Sequence, residues 1–165
     1  MKTDVVPRVA VLVGALLSLA AAQIAYCPAP YILIGGEVCL YFPGGTYTWL
    51  DARTLCQTAA APPDPYTGDL AEIQTCELLS SVWNYIYYKL ERPSNYWIGG
   101  KDEGSEGSWF WVKSGTPVPK GSPFWFTAEP DGSNAENHLV LSPNGYLADG
   151  RMDQSYYAIC QAYTA

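Results

Sequence analysis

The stretch TWLDARTLCQTAA, residues 48–60, decides how this chain is read. Trp49, Ala52, Cys56 and Ala59 recur at three- and four-residue steps, which places them on one face of an α-helix. Thr48 stands where an N-cap belongs, with a hydroxyl that can accept a backbone amide of the first turn. An apolar helix face needs a partner, and the flanks supply one. Upstream, VCLYF (38–42) is short, apolar and aromatic, the pattern of a strand, and Pro43, Gly44 and Gly45 end it. Downstream, APPDPYTGD (61–69) reads as a loop from its prolines and glycine.

A second helix is expected from about Thr75. Leu79, Val82, Trp83, Ile86 and Leu90 keep helical spacing, and Arg92-Pro93 closes the segment. Beyond it the helical period disappears. YWIGG (96–100), SWFWV (108–112), HLVL (138–141) and YYAICQAY (156–163) are short aromatic or β-branched runs between Gly, Pro, Ser and Asn clusters. They predict antiparallel strands joined by long loops. Two early helices followed by a late set of strands make an α+β domain. The proline-rich stretch 113–132 is expected to be irregular, and loops of that length are functional or disordered. The rings of Phe124, Trp125 and Phe126 argue for burial over disorder. Trp97, Trp109 and Trp111 read as core and sheet residues. Trp125 is the ring expected nearest a ligand, although burial is the better expectation for it too.

Lys2 and Arg8 precede the apolar run VAVLVGALLSLAAA (9–22), and Ala20 and Ala22 fit a small-x-small cleavage site. Residues 1–22 read as a secretory signal peptide and 23–165 as one domain, in a secreted, extracellular protein. A membrane anchor is the competing reading, disfavoured because the run is short and no second apolar segment follows. Without the leader, 7 basic and 15 acidic residues remain, a net charge of −8. That balance argues against nucleic acid and is compatible with a cation such as calcium. The cysteines are Cys27, Cys39, Cys56, Cys76 and Cys160, an odd number that leaves at least one free or bonded to another chain. A single histidine, His138, supplies neither a zinc cluster nor a recognisable nucleophilic triad.

The remaining stretch to explain is EPDGSNAENH (129–138), with Glu129, Asp131 and Glu136 crowded into a loop. Like charges at short range repel unless a cation neutralises them, and Ca²⁺ takes six to eight oxygens. A merely solvated acidic loop is the bland alternative. Paired carboxylates also serve glycoside hydrolysis, but nothing in the sequence sets one carboxyl apart from another as an acid.

The order of CPAPYILIGGEVCLYF, WLDARTLC, GDLAEIQ, YWIGG, EGSWFWV, FWFTAEPD, ENHLVL and YYAIC resembles the C-type lectin-like domain over nearly the whole mature chain. The resemblance implies an α+β fold of two helices, small antiparallel sheets and a long irregular ligand loop. It implies the disulfides Cys27–Cys39 and Cys56–Cys160, the second worth about 4–5 kcal/mol in the chain-entropy model. A further family disulfide is replaced at both ends, by His138 and Met152, so a looser binding loop is expected. Cys76 has no usual family partner; it is a buried thiol or an intermolecular bridge that would make an oligomer.

For the loop, the resemblance implies a cis proline in Glu129-Pro130-Asp131 and a calcium site made by Glu129, Asp131, Glu136 and Asp149, which would also bind sugar. An auxiliary metal position would use Asp102 and Glu106, sharing Glu136, but Gly132 stands where another acidic ligand is usual. Two departures matter. Glu-Pro-Asp mixes the mannose-type and galactose-type patterns, and Ala148 replaces an asparagine that gives calcium an oxygen and sugar an amide donor. The functional expectation is a non-enzymatic, calcium-dependent lectin for glycans, by analogy those of microbial surfaces in innate defence. The alternative is a protein- or lipid-binding module on the same fold that uses no sugar chemistry.

Overall fold

A computed structural model describes residues 26–121 and 123–164. The expected leader over residues 1–22 lies outside these. Among the described residues the chain builds β1 (Ile32–Ile34), β2 (Val38–Tyr41), α1 (Trp49–Gln57), β3 (Tyr66–Leu70), α2 (Cys76–Tyr88), β4 (Tyr96–Lys101), β5 (Phe110–Trp111), a short 3-10 turn (Ser133–Ala135), β6 (His138–Leu141), β7 (Leu147–Gly150), β8 (Tyr157–Ala158) and β9 (Cys160–Thr164).

The first helix starts at the expected cap, Thr48, and the second at about the expected point, with Thr75 as its cap. Thr48 Oγ1 accepts the Asp51 amide, and Thr75 Oγ1 accepts that of Leu78. Trp49, Ala52 and Cys56 are buried on α1, but the helix ends at Gln57, so Ala59 falls outside it and is exposed. On α2, Leu78, Leu79, Val82 and Ile86 face the core. Trp83 departs from the expectation: it lies toward the outer side and donates its indole N–H to the Pro143 carbonyl.

One antiparallel sheet has the order β1-β2-β9-β3. Its strand β3 corrects the reading of 61–69 as loop. A Cβ at Gly68 would lie 2.1 Å from the Cys56 carbonyl oxygen. The glycine that suggested a turn is what lets a strand pass against α1. The second sheet runs β5-β4-β6-β7, with β8 also paired to β4. The β4–β8 pairing is parallel, Tyr96 opposite Tyr157, within sheets whose other strand pairings are antiparallel as expected.

Trp97 and Trp111 are wholly buried, and Trp109 and Trp125 nearly so, as their aromatic bulk predicts. Phe126 does not follow: its ring is 43% exposed. Cys27–Cys39 and Cys56–Cys160 are bonded, the first between the N-terminal segment and β2, the second between α1 and β9. Cys76 is a partly exposed free thiol at the first turn of α2. Two buried acids hold segments together. Arg53 donates to both Asp69 oxygens, and Glu72 accepts the amides of Lys113 and Ser114.

Candidate cation and ligand site

The site forms where the irregular segment after β5 is laced to β7. The Phe126 amide donates to the Leu147 carbonyl at 2.9 Å, and the Leu147 amide to that of Phe124 at 2.7 Å. A turn closed by the Glu129 amide on the Phe126 carbonyl follows, with Ala128 at φ 75°. The Glu129-Pro130 peptide is cis, as the resemblance implied. Asp149 of β7 then fastens the far side. Its Oδ1 accepts the Asp131 amide at 3.2 Å, and its Oδ2 that of Gly132 at 2.9 Å.

These contacts bring together Glu129, Asp131 and Asp149, with ligand oxygens all within 4.8 Å of one another. Oxygens on one Ca²⁺ lie roughly 2.3–2.6 Å from the ion, so three atoms this close can share a single coordination shell. Glu129 Oε2 is buried and has no hydrogen-bond partner among the described residues. Burial first, then the facing Asp149 and Asp131 carboxylates, push the Glu129 carboxyl up to about 7. Ionised carboxylates this crowded and partly buried are costly; taking up a proton lowers the cost, and binding a cation would lower it too. The donor set therefore fits calcium.

Glu136 stands beside this trio rather than inside it. Its side chain folds over Gly132, where an added Cβ would lie 2.2 Å from both its Cβ and its Oε2. Position 132 thus has no room for a further acidic ligand. Burial and the charges of Asp149 and Asp131 raise the Glu136 carboxyl, which places it in the same field.

The auxiliary set does not converge in the same way. Asp102 is buried, accepts the Gly107 amide through Oδ2 at 2.7 Å and has an unpartnered Oδ1. Burial raises its carboxyl, with Asp149 adding to the effect and Lys120 opposing it. Glu106 is exposed. Among the described residues, Asp102, Glu106 and Glu136 do not meet as the trio does.

The Ala148 side chain offers no polar atom to the site. Neither does the nearby amide of Asn137 serve it: Nδ2 donates to the Asn134 carbonyl instead. His138 and Met152, the pair in place of a disulfide, line one cavity of about 270 Å³. His138 is buried against Trp49, ring centroids 4.3 Å apart, while Met152 is half exposed. Sequence reasoning missed Phe126 and Tyr146, two exposed rings 6.1 Å apart on the other flank of Glu129. The only signal for Phe126 was a third aromatic in a row, which reads as core.

A family model described as the Lectin C-type domain matches residues 45–162, and the chain belongs to this family. A similar curated protein is C-type lectin domain family 4 member M of Gorilla gorilla gorilla, 26% identical over 140 residues, 84% of this chain and 34% of that protein. The chain thus spans about a third of the length of the first curated relatives it matches. Among solved structures, the C-type lectin CEL-I from Cucumaria echinata shares the fold, with a TM-score of 0.73 at 22% identity, covering 86% of this chain and all of that one. A calcium-independent type II antifreeze protein is similar too, with a TM-score of 0.65 at 26% identity, over 85% of this chain and 95% of that one. The two solved structures share the α+β fold, and the domain belongs to a family of carbohydrate-binding lectins whose members typically bind Ca²⁺. No helix among the described residues is long and apolar enough to cross a membrane.

Proposed function

We propose that the protein is a secreted, calcium-dependent lectin that binds glycans without catalysis, with microbial surfaces as the source of its ligands. The observation that carries this reading is the convergence of Glu129, Asp131 and Asp149 with a buried, unpartnered Glu129 Oε2. In it, Glu129, Asp131 and Asp149 hold the ion, and Glu136, which stands beside them over Gly132, turns in to add a fourth carboxylate. The ion, when bound, supplies open coordination positions for a pair of sugar hydroxyls. The carboxylates accept the protons of those hydroxyls, since an ionised carboxylate is an acceptor only. Asp149 also anchors the loop, because the two amides it accepts keep Asp131 and Gly132 against β7. Four carboxylates around one divalent ion leave net negative charge, which favours neutral or cationic glycans over anionic ones.

Ala148 favours a second reading, a module of the same fold that binds protein or lipid without calcium, because the site has acceptors in excess and no side-chain amide donor there. Glycan-array binding with calcium and with a chelator separates the two. Chelator-sensitive binding supports the lectin; ligand binding indifferent to the chelator supports the module.

A further inference from the structure

Glu129 has two flanks, and the cation accounts for one of them. On the other lies a cavity of about 510 Å³, lined by Trp125, Phe126, Thr127, Glu129 and Tyr146 among others. Phe126 and Tyr146 are 43% and 41% exposed, and their rings tilt toward each other at 57°. Water against two neighbouring rings is unfavourable, so a surface of this kind marks a contact when it adjoins a binding site.

The rings rest on a rigid floor. Trp125 beneath them is 4% exposed, donates its indole N–H to the Pro119 carbonyl at 2.8 Å and meets Trp109 edge-on at 5.2 Å. The backbone bonds between Phe126 and Leu147 and between Leu147 and Phe124 clamp the two ring-bearing segments together. The same two segments carry Glu129 and Asp149, each three residues further along. Aromatic pair and acidic trio are therefore held as one body, a preorganised arrangement.

We propose that Phe126 and Tyr146 form an aromatic subsite for the sugar residue adjoining the one held at the cation, so that the protein reads at least a disaccharide. This rests on the reading of Glu129, Asp131 and Asp149 as a cation site. A pyranose ring presents one face of C–H groups and a rim of hydroxyls. The C–H face packs on the two rings, and the rim meets Thr127 and Glu129 at the cavity edge. Continuity with the acidic trio through Glu129 selects a saccharide, and the polar edge does not suit an acyl chain. The subsite also answers the loss at Ala148: with no amide donor there, affinity has to come from contact elsewhere.

The test compares the native protein with Phe126→Ser and Tyr146→Ser by calorimetry in calcium. The probes are methyl α-mannoside and methyl β-galactoside, the matching disaccharides mannobiose and lactose, and the corresponding octyl glycosides. Native protein should bind a disaccharide about fivefold or more tighter than its monosaccharide. Either substitution should remove that advantage while leaving calcium affinity and the monosaccharide Kd unchanged. Saturation-transfer NMR on native protein should show aromatic-to-sugar transfer to C–H protons of the second residue. Equal disaccharide affinity in native and variant proteins overturns the subsite, and so does an advantage seen only with octyl glycosides, which marks an acyl groove. Failure of native protein to bind any probe in a chelator-sensitive way removes the lectin reading, and the subsite with it, even where calcium itself still binds.

Discussion

Asp149 Oδ2 accepts the amide of Gly132 at 2.9 Å, across 17 residues of sequence. With the Asp131 amide on Oδ1, one side chain of β7 both ties down the loop and contributes to the acidic trio. The two roles separate by substitution. Asp149→Asn keeps one acceptor for the loop but loses the charge; calcium affinity should fall at least tenfold, with thermal stability in chelator changed by less than about 1 kcal/mol. Asp149→Ala should lose calcium affinity and also cost about 1–3 kcal/mol in chelator, because two loop amides lose their acceptor. Calorimetric titration and thermal melts check both.

Gly132 is the second lever. An added Cβ lies 2.2 Å from the Glu136 carboxylate, so Gly132→Ala should push Glu136 aside. The expected result is weaker calcium binding with a melting temperature in chelator within a few degrees of native. Unchanged calcium affinity would mean that Glu136 takes no part.

His138 gives the protein an acid-sensitive element. Burial pushes its imidazole down to about 4, with Lys101 assisting and Glu103 opposing. In the unfolded chain the group titrates near 6.5. Between those values the unfolded state holds the proton and the folded state does not, so stability rises with pH across the window. The contribution is fully present above about pH 6.5 and lost as pH falls toward 4, on the order of 2 kcal/mol. His138→Phe should keep a ring against Trp49 and flatten the stability profile between pH 4 and 6.5, read by urea unfolding at several pH values.

Because His138 and Met152 line one cavity, the double substitution His138→Cys, Met152→Cys should form a bridge. Closing a loop of about 15 residues is worth roughly 3 kcal/mol. Loss of the ring on Trp49 offsets about 1 of these. The oxidised variant should melt higher than native and the reduced variant lower. A lower midpoint with the bond verified by mass would show that the two positions are held apart.

Much of this architecture is legible in the chain because local chemistry and tertiary packing agree. Thr48 is the cap its position suggests, Trp97, Trp109, Trp111 and Trp125 are core, and the bonds Cys27–Cys39 and Cys56–Cys160 are those the family resemblance implies. Legibility fails where tertiary contact overrides local signals. Gly68 signals a turn until the Cys56 carbonyl that needs its missing side chain is known. Phe126 looks like core among Phe124 and Trp125, yet the hydrogen bonds to Leu147 leave it beside Glu129 at the surface. For the site, the crowding of acids in one loop nominates Glu129, Asp131 and Glu136, and Asp149 enters only through the family resemblance. That Glu136 folds over Gly132, and that Asp149 is also the loop's anchor, depended on contacts between segments that no local pattern encodes.

Whether a divalent ion gathers these carboxylates is decided by a thermal melt at neutral pH in chelator and in calcium. At a free concentration of about 100 times Kd, binding to the folded state contributes about 2.7 kcal/mol, a rise of about 8 °C for a domain of this size. Native protein should show that rise, and the triple variant Glu129→Gln, Asp131→Asn, Asp149→Asn should not. A native melting temperature indifferent to calcium, or a rise that the triple variant retains, would mean that the trio holds no ion.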